Sequence, residues 1–70
     1  MTPNELMLER LSDIKVRLAG YSGAERQAYL LGLQDSFLLW SYDKGMRTFL
    51  QLPEFVEFSH FVKEQVEKSA

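Results

Sequence analysis

The sequence predicts an all-α fold: an antiparallel helical hairpin followed by a third, C-terminal helix, assembled as a homodimeric helical bundle. Three observations carry that prediction. Apolar residues recur at spacings of three and four, and no segment sustains the period-two alternation of a half-buried strand. Two helix-start signatures, Thr2-Pro3-Asn4-Glu5 and Ser22-Gly23-Ala24-Glu25, each stand ahead of such a stretch. Finally, 46% of the 70 residues are hydrophobic and none is cysteine. A chain this short buries its surface inefficiently and has no disulfide to compensate, so the excess apolar surface points to a second chain.

The first helix is predicted over residues 3–19. Thr2 is its N-cap, and Pro3 takes the first helical position, where its missing N–H would have had no partner. Glu5 completes a capping box three residues after the cap. Met7, Leu11, Ile14 and Leu18 form one apolar seam, widened by Leu6, Leu8 and Val16. Asp13 and Arg17 are a favourable i,i+4 pair, while Glu9 and Asp13 repel at the same spacing. Gly20 stands where a helix-ending glycine is expected.

The second helix is predicted over residues 23–50, started by a Ser22/Glu25 capping box. So short a connection makes the first two helices antiparallel neighbours. Between Ala28 and Tyr42 the polar side chains are only Gln34, Asp35, Ser36 and Ser41. Leu30, Leu33, Phe37 and Trp40 make one stripe; Leu31, Leu38 and Tyr42 make another. A helix apolar on most of its circumference needs cover on most of its circumference, more than one partner helix supplies. Gly45 is one candidate end, with Lys44 in the last turn. The apolar pattern through Met46, Phe49 and Leu50 favours a helix that runs on, loosened at Gly45, until Pro53 restricts Leu52.

The third helix is predicted over residues 53–68. Pro53 suits its first position, and Glu54 and Glu57 fall in its opening turns. Phe55, Phe58, Val62 and Val66, with Phe61 beside them, form its apolar stripe, and Glu64 and Lys68 are a correctly oriented pair. Without a linker, repeat or low-complexity tract, residues 1–70 read as one helical domain.

Several function classes are disfavoured. A net charge of −2 argues against a nucleic-acid binder, which normally carries a basic excess, so no nucleic-acid partner is expected. A helix-turn-helix would need a polar, basic second helix, whereas this one carries only Arg26 before Lys44. The C-terminal helix has the aromatics of a membrane-surface helix, but glutamates outnumber lysines on its polar face. The N-terminus shows no basic-then-apolar leader and the longest apolar runs are four residues, so the expected location is the cytoplasm.

No enzyme, cofactor or metal is expected. The single histidine, His60, has Glu57 and Glu64 at i−3 and i+4, a helical face that could offer metal ligands but reads more simply as solvated. No G-x-S-x-G, G-x-G-x-x-G or G-x-x-x-x-G-K-[ST] occurs.

Protein recognition remains. The segment from Trp40 to Phe49 concentrates residue types enriched at binding hot spots. Trp40, Tyr42, Met46, Arg47 and Phe49 are the candidate partner-binding residues; Trp40 suits a core or dimer interface equally well. Leu31, Gly32, Phe37 and Leu38 are the candidate dimer interface, Gly32 because its lack of a side chain admits close approach of another helix at about 1 kcal/mol relative to alanine.

The strings Tyr29-Leu30-Leu31-Gly32-Leu33, Leu39-Trp40-Ser41-Tyr42-Asp43-Lys44-Gly45 and Leu52-Pro53-Glu54-Phe55 carry a resemblance over less than half of the chain. They resemble small, phage-encoded, all-helical dimeric proteins of host takeover, specifically the anti-activator that binds a LuxR-type quorum-sensing regulator and also inhibits the type IV pilus ATPase. The resemblance implies a stoichiometric inhibitor that masks a functional surface of a bacterial host protein. The alternative reading is a helical chaperone or secretion-accessory protein whose apolar helix is covered by a dedicated cargo.

Overall fold

The computed structural model describes residues 1–68, and among them the chain is all-α with no strand. The helices are α1 (Pro3–Ala19), α2 (Gly23–Ser41), α3 (Lys44–Leu50) and α4 (Pro53–Lys68). The predicted 3–19 and 53–68 helices are present with those bounds. The last two residues of the predicted 1–70 domain lie outside the described residues.

The N-terminal cap of α1 forms as expected. Thr2 is extended, its hydroxyl accepts from the Glu5 N–H at 3.1 Å, and the same hydroxyl donates to the Glu5 carboxylate at 3.1 Å. At the next connection the expected chemistry differs. Ser22 makes no side-chain cap hydrogen bond, so the Ser22/Glu25 box does not form. Gly20 caps α1 in a right-handed conformation (φ −84°), and the left-handed backbone falls instead on Gly23 (φ +58°). Gly23 adopts that conformation without the steric penalty that a Cβ would bring.

The continuous 23–50 helix is corrected: it is two helices, broken at Tyr42-Asp43. Asp43 leaves the helical region (φ −101°, ψ 121°), and its Oδ1 accepts from the Gly45 N–H at 2.8 Å and the Met46 N–H at 3.2 Å. A short polar side chain thus offers the backbone donors a partner other than the preceding turn. Gly45 neither ends α2 nor loosens a continuous helix; it lies in the first turn of α3. A Cβ there would stand 3.3 Å from Asp43 Oδ1, so the glycine leaves room for the capping carboxylate. Ser41 closes the other side of the break by donating its hydroxyl to the Leu38 carbonyl at 2.5 Å.

The core comes from α1 (Leu11, Leu18), α2 (Leu30, Leu33, Phe37) and α4 (Phe55, Phe58, Val62). On α1 the predicted seam is the one that packs, with Met7 and Ile14 half-buried against the core. Phe37 is the hub of the aromatic packing, edge-on to Trp40 (5.5 Å), Phe58 (6.1 Å) and Phe55 (6.4 Å). These are the tilted geometries that ring quadrupoles favour. The break after Tyr42 makes this possible, because α4 then returns along α2, its principal neighbour together with α3.

The shape limits what can be covered. The chain measures 35 × 23 × 16 Å with a radius of gyration of 12.2 Å, against about 11 Å for a compact domain of this length. A backbone extent of 16 Å holds two layers of helices about 8–10 Å apart and no third. No helix in so flat a molecule is surrounded on all sides.

Candidate functional site

The longest helix shows that limit most clearly. On α2, Leu30, Leu33 and Phe37 point into the core, with Tyr29 and Trp40 half-buried beside them. The opposite face carries Leu31, Gly32, Asp35, Leu38, Leu39 and Tyr42, all exposed. Leu31 and Leu38 are seven residues apart, as are Gly32 and Leu39, and Asp35 and Tyr42. A seven-residue repeat keeps side chains on nearly one line of a helix, so these residues form a continuous stripe. Its fractional exposures rise toward the C-terminal end: Leu31 43%, Leu38 57%, Leu39 69% and Tyr42 79%. A Cβ built on Gly32 meets nothing within 4 Å, so the glycine is a flat, open spot in that stripe.

At the end of the stripe the chain turns into α3. Asp43, Lys44 and Arg47 are exposed there, while Met46 and Phe49 are half-buried. Asp43 accepts there from the Gly45 and Met46 N–H groups, which starts α3 at the corner between Tyr42 and Arg47. Beside Leu38, a groove of about 640 Å³ runs between α2 and α4, with Gln34 and Ser41 on one wall and His60, Lys63 and Glu67 on the other.

The predicted partner-binding residues therefore fall into two groups. Tyr42 and Arg47 stand in solvent at the α2–α3 corner. Trp40 lies against Phe37 and, at 6.5 Å, Phe55, while Met46 and Phe49 are also partly covered. Of the predicted dimer residues, Leu31, Gly32 and Leu38 share the open stripe. Phe37 does not: it is a core residue of its own chain, because its position on α2 faces α4. Leu39 was missed. The signal was its seven-residue offset from Gly32, hidden because the run from Phe37 to Trp40 reads as uniformly apolar.

The chemistry considered for α4 has no matching arrangement. Among the described residues no group of three or more acidic or histidine side chains is placed to hold a metal ion, the Glu57, His60 and Glu64 set included. No helix among the described residues is long and apolar enough to cross a membrane. What the site offers is an apolar stripe ending in a phenol and a guanidinium, a surface suited to burial against another protein.

Comparison with known proteins finds no matching family model, no matching curated sequence and no matching solved structure.

Proposed function

We propose that this chain is a small homodimeric inhibitor that acts by occlusion, masking a functional surface of a bacterial partner protein. Each subunit would present α1 and α2 as an antiparallel hairpin, and two copies would meet along the outer stripe of α2. The observation that carries the reading is that stripe. Its three leucines, Leu31, Leu38 and Leu39, leave roughly 340 Å² uncovered per chain, taking about 200 Å² for each fully exposed large side chain. Two copies face to face would bury about 680 Å² from these three residues, the larger part of the roughly 1,000 Å² of a specific interface, with Gly32, Asp35 and the flanking backbone to supply the rest. Gly32, at the N-terminal end of the stripe, lets two helices approach closely there. Tyr42 and Arg47, at the end of the stripe, remain at the rim for the external partner, in line with the polar tips found at hot spots.

The resemblance to phage anti-activators gives the partner class: a LuxR-type quorum-sensing regulator, masked at its DNA-binding domain, and the type IV pilus ATPase. An acidic dimer (net charge −2 per chain) also suits a basic, DNA-binding face. Light scattering of the purified chain tests the first part. The expected mass is a dimer, reduced to a monomer by Leu38→Asp; a folded wild-type monomer at micromolar concentration overturns it. Gel filtration with the regulator's DNA-binding domain tests the second. Co-elution and loss of DNA binding are expected, both weakened by Tyr42→Ala and Arg47→Ala. Co-elution unchanged by both variants removes that corner as the contact, and no co-elution removes the partner class.

A further inference from the structure

On the side of the molecule away from the α2 stripe, α1, the start of α2 and α4 line a second, open groove of about 430 Å³. Its apolar walls are Leu18, Phe58 and Phe61, the two phenylalanine rings stacked with centroids 6.0 Å apart. Ala19, Lys15, Arg26 and Glu57 complete it. Both cations are held by partners that leave their charge in place. The Lys15 ammonium sits 5.6 Å from the centroid of the Phe58 ring, and Arg26 Nη2 donates to the Gln65 side-chain oxygen at 3.1 Å. An aromatic face and a neutral amide orient a cation without neutralising it. With one carboxylate against two cations, the groove carries +1 in a chain whose net charge is −2. An anion is therefore drawn to this place by its local charge and not by the molecule as a whole.

We propose that this groove binds a small apolar carboxylate: a monoanionic head between Lys15 and Arg26, with an alkyl or aromatic tail against the exposed ring of Phe61. The volume falls in the range of small-ligand sites, and three helices bound it, which suits a short tail better than a docked helix. Glu57 on the same wall disfavours a polyanion. The proposal is independent of the dimer stripe and shares no residue with it.

The test is a backbone-amide NMR titration of the full 70-residue chain with sodium octanoate, kept below micelle formation, and with octylammonium chloride in parallel. Octanoate should give saturable shifts centred on Lys15, Arg26, Phe58 and Phe61, with a dissociation constant on the order of a millimolar or below, and octylammonium should give none there. Lys15→Gln and Arg26→Gln should each weaken octanoate binding about three- to fivefold, the scale of an exposed ion pair. Glu57→Gln should strengthen it, a gain that a merely structural role would not produce. Thermal melts of the three variants show whether each remains folded. Equal binding of both amphiphiles, shifts centred on Leu31 and Leu38, or folded variants that bind as the wild type does would each overturn the proposal. Tighter binding of a blocked Asp-Leu peptide than of octanoate would overturn it in favour of a protein occupant.

Discussion

The two faces of α2 are built from the same kinds of residue and have opposite fates. Leu30, at 0% exposed, and Leu31, at 43%, are adjacent in the chain; Phe37 is a core hub while Leu38 stands in solvent. Composition does not separate them. Their angular position does, because α3 and α4 return to one side of the helix only, and the molecule is too thin to cover the other. Apolarity thus says that a residue will be buried somewhere, and the fold says whether its own chain does the burying.

Substitutions on the two faces sharpen that contrast. The largest effect is expected on the inner face, where Phe37→Ala removes a ring contacting Trp40, Phe55 and Phe58. A loss of about 3–5 kcal/mol, enough to unfold much of so small a domain, should appear in urea denaturation followed by circular dichroism. Asp43→Ala leaves the Gly45 and Met46 N–H groups without their acceptor. It should lower stability by about 1 kcal/mol and disorder the amides of residues 43–46 first in hydrogen exchange. On the outer face the sign reverses. Gly32→Ala meets open space, so in the monomeric Leu38→Asp background it should raise stability by roughly 0.5–1 kcal/mol. In the wild-type background it should weaken self-association by holding the two helices apart. The smallest effect on the single chain is expected from Leu39→Ser, within about 0.5 kcal/mol by denaturation of the monomeric form. A large loss from Leu39→Ser in that form would break the contrast, because Leu39 would then belong to its own chain's core.

Much of the architecture was legible because it is local. The Thr2-Pro3-Asn4-Glu5 start, the Met7–Leu18 seam, and the Pro53 start with Phe55, Phe58 and Val62 behind it all follow from spacing and capping chemistry within a turn or two. The misreadings came where local signals competed. Asp43 and Gly45 lie two apart, and periodicity through Met46, Phe49 and Leu50 outweighed a capping side chain that needs only one oxygen to stop a helix. Ser22 matched a capping pattern, but the backbone turns through Gly23 and its hydroxyl is unused as a cap. For the site, Tyr42 and Arg47 were readable as exposed because their polar tips favour a surface. Spacing set Phe37 with Leu30 and Leu33, apart from Leu31 and Leu38, but which of the two stripes is core was not readable until the neighbours were placed.

The sequence by itself determined that the chain is helical, where α1 begins and ends, where α4 begins, that α2 is apolar nearly all round, and that a strand-rich reading fails. Those properties depend on backbone propensity, capping and spacing, all short-range. Only the tertiary structure decided which of the α2 stripes is core, and that Lys15 and Arg26 meet Phe58 and Phe61 across three helices. Each depends on where distant segments return in space, and burial energy is set by what stands opposite a side chain, not by its neighbours in sequence.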